Sequence, residues 1–228
     1  MLTKREVIDN RYQSLDLLGQ GGMGLVYRAT DLETDRDVAI KLLTLPPGES
    51  QLRFRREFRV MSRLSHPNVI EVLESGVHDD VPYMVMKLLS GGTFNSEFAD
   101  GAQSPDDAGR RLELLAQVAD ALAYIHGEGI IHRDLKPDNI MLEPHDDGPR
   151  AILMDFGLAK TDNDETRMLT QPGAVMGTAS YMSPEQVRGT GVDARSDLYA
   201  FGCLIVWMMT GEPPFRGQSF IDTLTKQT

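Results

Sequence analysis

Strand-like and helix-like patterns fall in separate stretches of this chain, and that segregation restricts its fold more than any other feature. Over residues 12–45 the apolar residues come in short runs broken by turns. Leu15, Leu17 and Leu18 lead into a glycine loop, Leu25-Val26-Tyr27 leaves it, and Val38-Ala39-Ile40 follows the polar turn of residues 31–37. This is the pattern of antiparallel strands. Residues 51–64 set Leu52, Phe54, Phe58, Met61 and Leu64 among five arginines, the spacing of one amphipathic helix, and His66-Pro67-Asn68 stops it. Residues 69–72 and 83–89 are two further strand candidates, after which Ser90-Gly91-Gly92 breaks the pattern.

From there the signals are helical. Ser104 offers a hydroxyl cap, Pro105 suits a first helical position, and Asp106 and Asp107 complement the positive helix end. The predicted helix runs to His126, with Leu112, Leu115, Ala119, Leu122 and His126 on one stripe and Gly127 just past its end. A second helix over residues 193–210 is apolar on most of its surface between Phe201 and Met209, which predicts a buried central helix ended by Gly211 and Pro213-Pro214. Strands followed by helices build an α+β protein rather than a parallel α/β sheet. The chain is expected to divide at Ser90 into residues 1–89 and residues 90–228.

At 228 residues and 41% hydrophobic content, the chain can bury a sizeable core, which excludes a disordered tail or a coiled-coil rod. Its net charge of −11 argues against nucleic acid as a partner. The charge is uneven: residues 1–89 hold 12 basic and 13 acidic side chains, residues 90–228 hold 11 and 21. An acidic second part steers basic protein substrates or simply keeps the surface solvated. The single cysteine, Cys203, permits no intramolecular disulfide and no cysteine zinc site, which suits a reducing, cytoplasmic location. No apolar run is long enough to cross a bilayer, and the charged start Met-Leu-Thr-Lys-Arg-Glu is unlike a signal peptide.

Gly19-Gln20-Gly21-Gly22-Met23-Gly24 fits G-x-G-x-x-G, a weak signal that serves a dinucleotide site, a phosphate-covering loop or a plain turn. Because the next residues look extended rather than helical, a strand-loop-strand unit fits better than a Rossmann one. Lys41 closes Val38-Ala39-Ile40-Lys41, where it serves either as an anion ligand in a cleft or as a strand-end lysine in water. Glu57 can supply it with a carboxylate if its helix packs on the sheet. The decisive segment is His132-Arg133-Asp134-Leu135-Lys136-Pro137-Asp138-Asn139, with Asp155-Phe156-Gly157 beginning sixteen residues after Asn139. Asp134 can take a proton from a hydroxyl, Lys136 can neutralise a transferring phosphoryl group, and Asn139 with Asp155 offers oxygen ligands to a hard cation such as Mg²⁺.

In this order, and with Ser183-Pro184-Glu185 and Asp197 downstream, the residues resemble the bacterial members of the eukaryotic-type Ser/Thr protein kinase family. The resemblance runs from Tyr12 to about Phe220. It implies a bilobal α+β fold: an antiparallel N-lobe sheet with one main helix, and a mostly helical C-lobe lacking its last helices. It further implies that Gly19, Gly21 and Gly24 cover the phosphates of ATP, and that Lys41 holds the α and β phosphates and pairs with Glu57. Val26, Ala39 and Met141 would enclose the adenine, with Met86 as gatekeeper and the backbone up to Leu89 at the purine edge. Asp134 would be the base, with Lys136 beside it, while Asn139 and Asp155 hold Mg²⁺. Met61, Val72, His132 and Phe156 resemble the apolar stack of the family.

The same likeness implies Ser/Thr acceptors on protein substrates, with Thr178 near Asp134 and Lys136. Arg133 preceding the base implies a phosphate on the following segment, with Thr170 first and Thr166 and Thr161 in reserve. It leaves open a homodimer for autophosphorylation. Two departures stand out. Serine occupies position 183 where alanine is commonest, and the helix whose arginine meets the acid matching Glu185 lies beyond Thr228, so a fragment of a longer protein is expected. Glu185 must then find another donor, face solvent, or cost about 3–5 kcal/mol as a broken buried pair. A non-catalytic ATP-binding or interaction module is the alternative; a small-molecule phosphotransferase is disfavoured by residues 177–185, which resemble a peptide-docking loop.

Overall fold

A computed structural model describes residues 6–21, 24–43, 58–156 and 179–228. They form two compact units: Ser65 and the described residues before it join Ile70–Leu89 in one, and His66–Val69 joins everything described from Ser90 onward in the other.

The first unit is a six-stranded antiparallel sheet in the order β1-β2-β3-β4-β6-β5, comprising β1 (Val7–Ile8), β2 (Tyr12–Gly21), β3 (Gly24–Asp31), β4 (Arg36–Leu43), β5 (Val72–His78) and β6 (Val81–Lys87). Two of its turns use consecutive left-handed residues, Asp9-Asn10 and Asp79-Asp80, the backbone of tight hairpins matched to strand twist. The sheet curls until its edges meet: the Tyr83 hydroxyl donates to Asp9 at 2.7 Å, Arg11 to Glu74 at 2.8 Å and the Tyr12 hydroxyl to Glu74 at 2.9 Å. Inside the curl lie Ile8, Tyr12, Leu25, Tyr27, Ile40, Leu42, Tyr83 and Val85.

The sequence-predicted strand at 69–72 is displaced. Val69 makes only a lone parallel bridge to Leu153, and the strand itself is β5, where Glu74, Ser75 and Gly76 disguise the alternation and a bulge follows Val72. Of the helix expected over residues 51–64, the described part shows residues 58–61 helical, with a turn at 62–63.

The second unit is mostly helical: α1 (Phe94–Phe98), α2 (Pro105–Gly127), α3 (Pro184–Arg188), α4 (Ala194–Thr210) and α5 (Phe220–Gln227), with a two-stranded sheet of β7 (Ile140–Glu143) and β8 (Arg150–Leu153). α2 starts as its sequence dictates, the Ser104 hydroxyl accepting from the Asp107 N–H. It ends one residue late, taking in Gly127 and capping at Glu128, with Gly129 left-handed beyond. Its buried stripe is rotated from the expected one: Arg111, Leu114, Leu115, Val118, Ala121, Leu122 and Ile125 face inward, and Leu112 is 54% exposed. The cause is Arg111, whose guanidinium is buried because it donates to the carbonyls of Phe98 (3.1 Å) and Met208 (2.9 Å) and to Asp107 (3.0 Å). α4 is capped by Asp193 and closed by left-handed Gly211. It buries Ser196, Asp197, Ala200, Cys203, Leu204, Trp207 and Met208, but Leu198 and Val206 remain exposed among the described residues, so the helix is buried on one side rather than all round.

Candidate active site

Strand register sorts the first unit's site residues. Val26 lies opposite Lys41, Lys41 opposite Met84, and Ala39 opposite Met86. Because side chains alternate along a strand, Val26, Ala39, Lys41 and Met86 share one face, while Leu25, Tyr27, Ile40 and Val85 point into the core. Lys41 is half-buried on that face, and Leu89 follows the end of β6.

The glycines of the loop have different reasons to be glycine. Gly24 has φ +148°, and a Cβ there would stand 1.9 Å from the Leu42 carbonyl oxygen, so the pairing of β3 with β4 forbids a side chain. Gly19 has nothing within 4 Å of a built Cβ, so no packing in the first unit demands it. Gly21 pairs with Gly24 across the hairpin. Glu57, Thr170 and Thr178, with the reserves Thr161 and Thr166, lie outside the described residues. Met141 belongs to β7 of the second unit, as do the residues that follow.

The segment of residues 132–139 is anchored at its start by one carboxylate. Asp197, 1% exposed on the first turn of α4, accepts the backbone N–H of His132 (2.8 Å) and of Arg133 (2.9 Å) and contacts His126 Nε2 at 2.7 Å. His132 is itself buried. Its Nδ1 accepts the Asp134 N–H at 3.2 Å, which leaves Nε2 as the protonated nitrogen donating to the Met154 carbonyl at 2.9 Å. The imidazole thereby ties the segment to the strand end that carries Asp155, and it packs on Phe156 with ring centroids 5.0 Å apart. Arg133 and Asp155 both adopt left-handed backbone, φ +64° and +51°, conformations that cost a non-glycine residue about 1–3 kcal/mol and persist where surrounding bonds enforce them.

Within this frame Asp134, Lys136 and Asn139 converge. Lys136 Nζ meets Asp134 Oδ2 at 3.0 Å, and the Asn139 amide donates to the same oxygen at 3.0 Å and to the Asp134 carbonyl at 2.7 Å. The turn Pro137–Asn139 makes this geometry, and the Met154 N–H binds the Asn139 carbonyl at 2.9 Å, setting Asp155 next in the chain. With Nδ2 committed twice, the buried Asn139 offers only Oδ1, which receives no donor among the described residues. A buried amide oxygen of this kind, on a side chain that also touches a carboxylate, is a hard-oxygen donor type that fits a cation such as Mg²⁺.

Ser183 is the N-cap of α3 and forms a reciprocal capping box with Gln186, which accounts for serine at this position. Glu185 finds a donor: it accepts the Ser196 hydroxyl, so the exposed and broken-pair outcomes do not arise. Burial pushes its carboxyl up, and hydrogen bonds from Ser196, the backbone and Ser183 outweigh this and hold it below the ordinary value. Sequence reasoning missed two partners: Ser196, which carried no signal, and Gln186, whose Nε2 donates to the Arg133 carbonyl at 2.9 Å and was readable only through the S-x-x-Q capping pattern.

Residues 12–228 match the protein kinase domain family. The chain belongs to the protein kinase domain family. It is 42% identical over 221 residues to the serine/threonine-protein kinase PknB of Mycobacterium leprae, covering 93% of this chain and 34% of that protein. It is also 42% identical over 228 residues to the serine/threonine-protein kinase pkn3 of Myxococcus xanthus, covering 97% of this chain and 41% of that protein. The crystal structure of the Mycobacterium tuberculosis PknI kinase domain superimposes with a TM-score of 0.74 at 31% identity, covering 95% of this chain and 80% of that one. The chain therefore spans roughly a third to two fifths of the length of these curated relatives. Its bilobal kinase-like α+β class follows from the same likeness. Among the described residues, no helix is long and apolar enough to cross a membrane.

Proposed function

We propose that the chain is an ATP-dependent protein serine/threonine kinase. The observation that carries this is the Asp134 carboxylate, braced by Lys136 and Asn139 on a loop that Asp197 holds by two backbone amides. Asp134 takes the proton of the acceptor hydroxyl as its oxygen bonds to the γ-phosphorus. The bond from that phosphorus to the β-γ bridging oxygen breaks, and ADP departs with the electron pair. Lys136 offsets charge developing on the transferring group, which is where positioned cations lower the barrier.

In the first unit, the face of Val26, Ala39 and Met86 suits a purine and Lys41 the α and β phosphates, Gly19 leaving room for phosphate oxygens at the backbone. Glu57, Leu89 and Met141 complete the proposed nucleotide contacts. Asn139 and Asp155 would hold Mg²⁺, which when bound neutralises the phosphate oxygens. Serine and threonine side chains of proteins are the proposed acceptors. Thr170 is the proposed autophosphorylation site opposing Arg133, with Thr178 near the base, and a homodimer would serve that reaction in trans. A cytoplasmic location accords with ATP as cosubstrate and with the single thiol being buried.

The test is incorporation of labelled phosphate from ATP and Mg²⁺ into the chain or a basic protein. The expected result is a loss of about 10²–10⁴-fold with Asp134→Asn, the usual contribution of a positioned base. Equal incorporation by wild type and Asp134→Asn overturns the assignment. A thermal shift with ATP and Mg²⁺ but no turnover identifies a nucleotide-binding module instead.

A further inference from the structure

Arg133 is the strained residue immediately before the proposed base, and its peptide groups are gripped on both sides. Asp197 takes its N–H at 2.9 Å, and Gln186 Nε2 donates to its carbonyl oxygen at 2.9 Å. That carbonyl is the oxygen of the peptide bond whose nitrogen belongs to Asp134. Gln186 is 6% exposed, on the first turn of α3, and cannot swing away: its Oε1 accepts from the Ser183 N–H at 3.0 Å and the Ser183 hydroxyl at 3.3 Å. Its three polar contacts therefore fix the amide's orientation, with the NH₂ toward Arg133 and the oxygen toward the cap.

We infer that Gln186 is a positioning residue that orients the Asp134 carboxylate by fixing the Arg133 carbonyl, and that it couples this orientation to the seating of α3. The inference rests on the kinase assignment for its consequence, but not for the contact itself. A left-handed arginine reverts toward ordinary backbone when one of its restraints is lost, because only the restraints offset its cost. Such a reversion rotates the 133–134 peptide and with it the attachment of Asp134, while Asp197 still holds the amides of residues 132 and 133. The bond also links the seating of α3 to the base, since moving α3 carries the Gln186 amide with it. The recess that Gln186 lines also contains Arg133, Asp134, Lys136, Tyr181 and Asp197, so those are the charged and titratable groups facing it.

Two substitutions test this. Gln186→Met keeps the shape and removes the donor. Gln186→Glu keeps an acceptor for Ser183 and can donate to the Arg133 carbonyl only when its carboxyl is protonated. With the wild-type chain as reference, hydrogen exchange of residues 132–139 in Gln186→Met should rise about tenfold while the centres of α2 and α4 are unchanged. Phosphate transfer from labelled ATP to a basic peptide with one threonine should lose about tenfold in kcat with KM for ATP within about twofold. For Gln186→Glu, activity relative to wild type should rise as pH falls from about 8 to about 5, a profile that loss of packing alone does not produce. Unchanged exchange in Gln186→Met, or a flat relative pH profile in Gln186→Glu, overturns the inference. A wild-type chain without Asp134-dependent transfer defeats the kinase assignment instead, and the exchange measurement then decides the role of Gln186 alone.

Discussion

Replacing Asp197 by asparagine swaps one oxygen for an amide and leaves volume almost unchanged, so its cost reports on the hydrogen bonds rather than on packing. Both oxygens are in use, Oδ1 by the Arg133 N–H and Oδ2 by the His132 N–H and His126. Asparagine keeps the first acceptor and turns a donor toward the His132 N–H, 2.8 Å away, in a site where His132 has no exposed surface. His126 can answer the new donor by changing tautomer, but a backbone N–H has no alternative. The orphaned amide then costs about 1–3 kcal/mol. Alanine orphans both amides, which together amounts to about 2–6 kcal/mol. Urea unfolding followed by circular dichroism measures this directly: with a slope of about 2 kcal/mol per molar, asparagine should lower the midpoint by about 1 M and alanine by about twice that. Phosphate transfer should fall with both. Asparagine midpoints within about 0.2 M of wild type, at an unchanged slope, would refute the idea that this carboxylate holds the loop.

Gly24→Ala should destabilise the first unit by about 2–4 kcal/mol, because the new methyl meets the Leu42 carbonyl at 1.9 Å in a left-handed backbone. Gly19→Ala should leave the melting temperature unchanged and weaken ATP binding by calorimetry; a matching loss of stability would show that Gly19 serves the fold. Asp31, gripped by Arg11 at 2.8 and 2.9 Å, is held well below the usual carboxylate range, chiefly by that hydrogen bond. A folded-state value below the unfolded one contributes stability that is complete above about pH 5 and lost as pH falls through the folded value. Acid titrations of Asp31→Asn should therefore show lower stability at pH 7 and a flatter acid limb than wild type. Burial pushes the Cys203 thiol up to about 11, so at pH 8 it should alkylate at least about a hundredfold more slowly in the native chain than after unfolding. Comparable labelling rates would place the thiol at the surface.

Where local chemistry settles an element, the sequence was legible. Ser104-Pro105-Asp106-Asp107 and Gly211 mark helix ends through bonds made within a few residues, and they lie where expected. Asp134, Lys136 and Asn139 also meet within one short turn, so their spacing alone brings them together. What escaped depends on distant partners. Arg111 looks like a solvent-facing residue until the carbonyls of Phe98 and Met208 arrive from separate helices, and its burial rotates the stripe of α2. β1 is two residues long and is held by the curl of the sheet, its only local sign being the Asp9-Asn10 turn. The common face of Lys41, Val26 and Met86 is a matter of register across three strands, which no single segment encodes.

The curl of the first sheet has a consequence for solubility. A flat sheet leaves two rows of unanswered peptide groups, each a template on which another chain can add. Here the side chains of Asp9, Arg11 and Glu74 tie the margins to tyrosines and to one another, so the two margins are drawn together rather than splayed apart. Each stitch joins residues more than sixty positions apart, so a substitution that cuts one, such as Glu74→Ala, would loosen a border on which a second chain can add, and clumping would begin at this join.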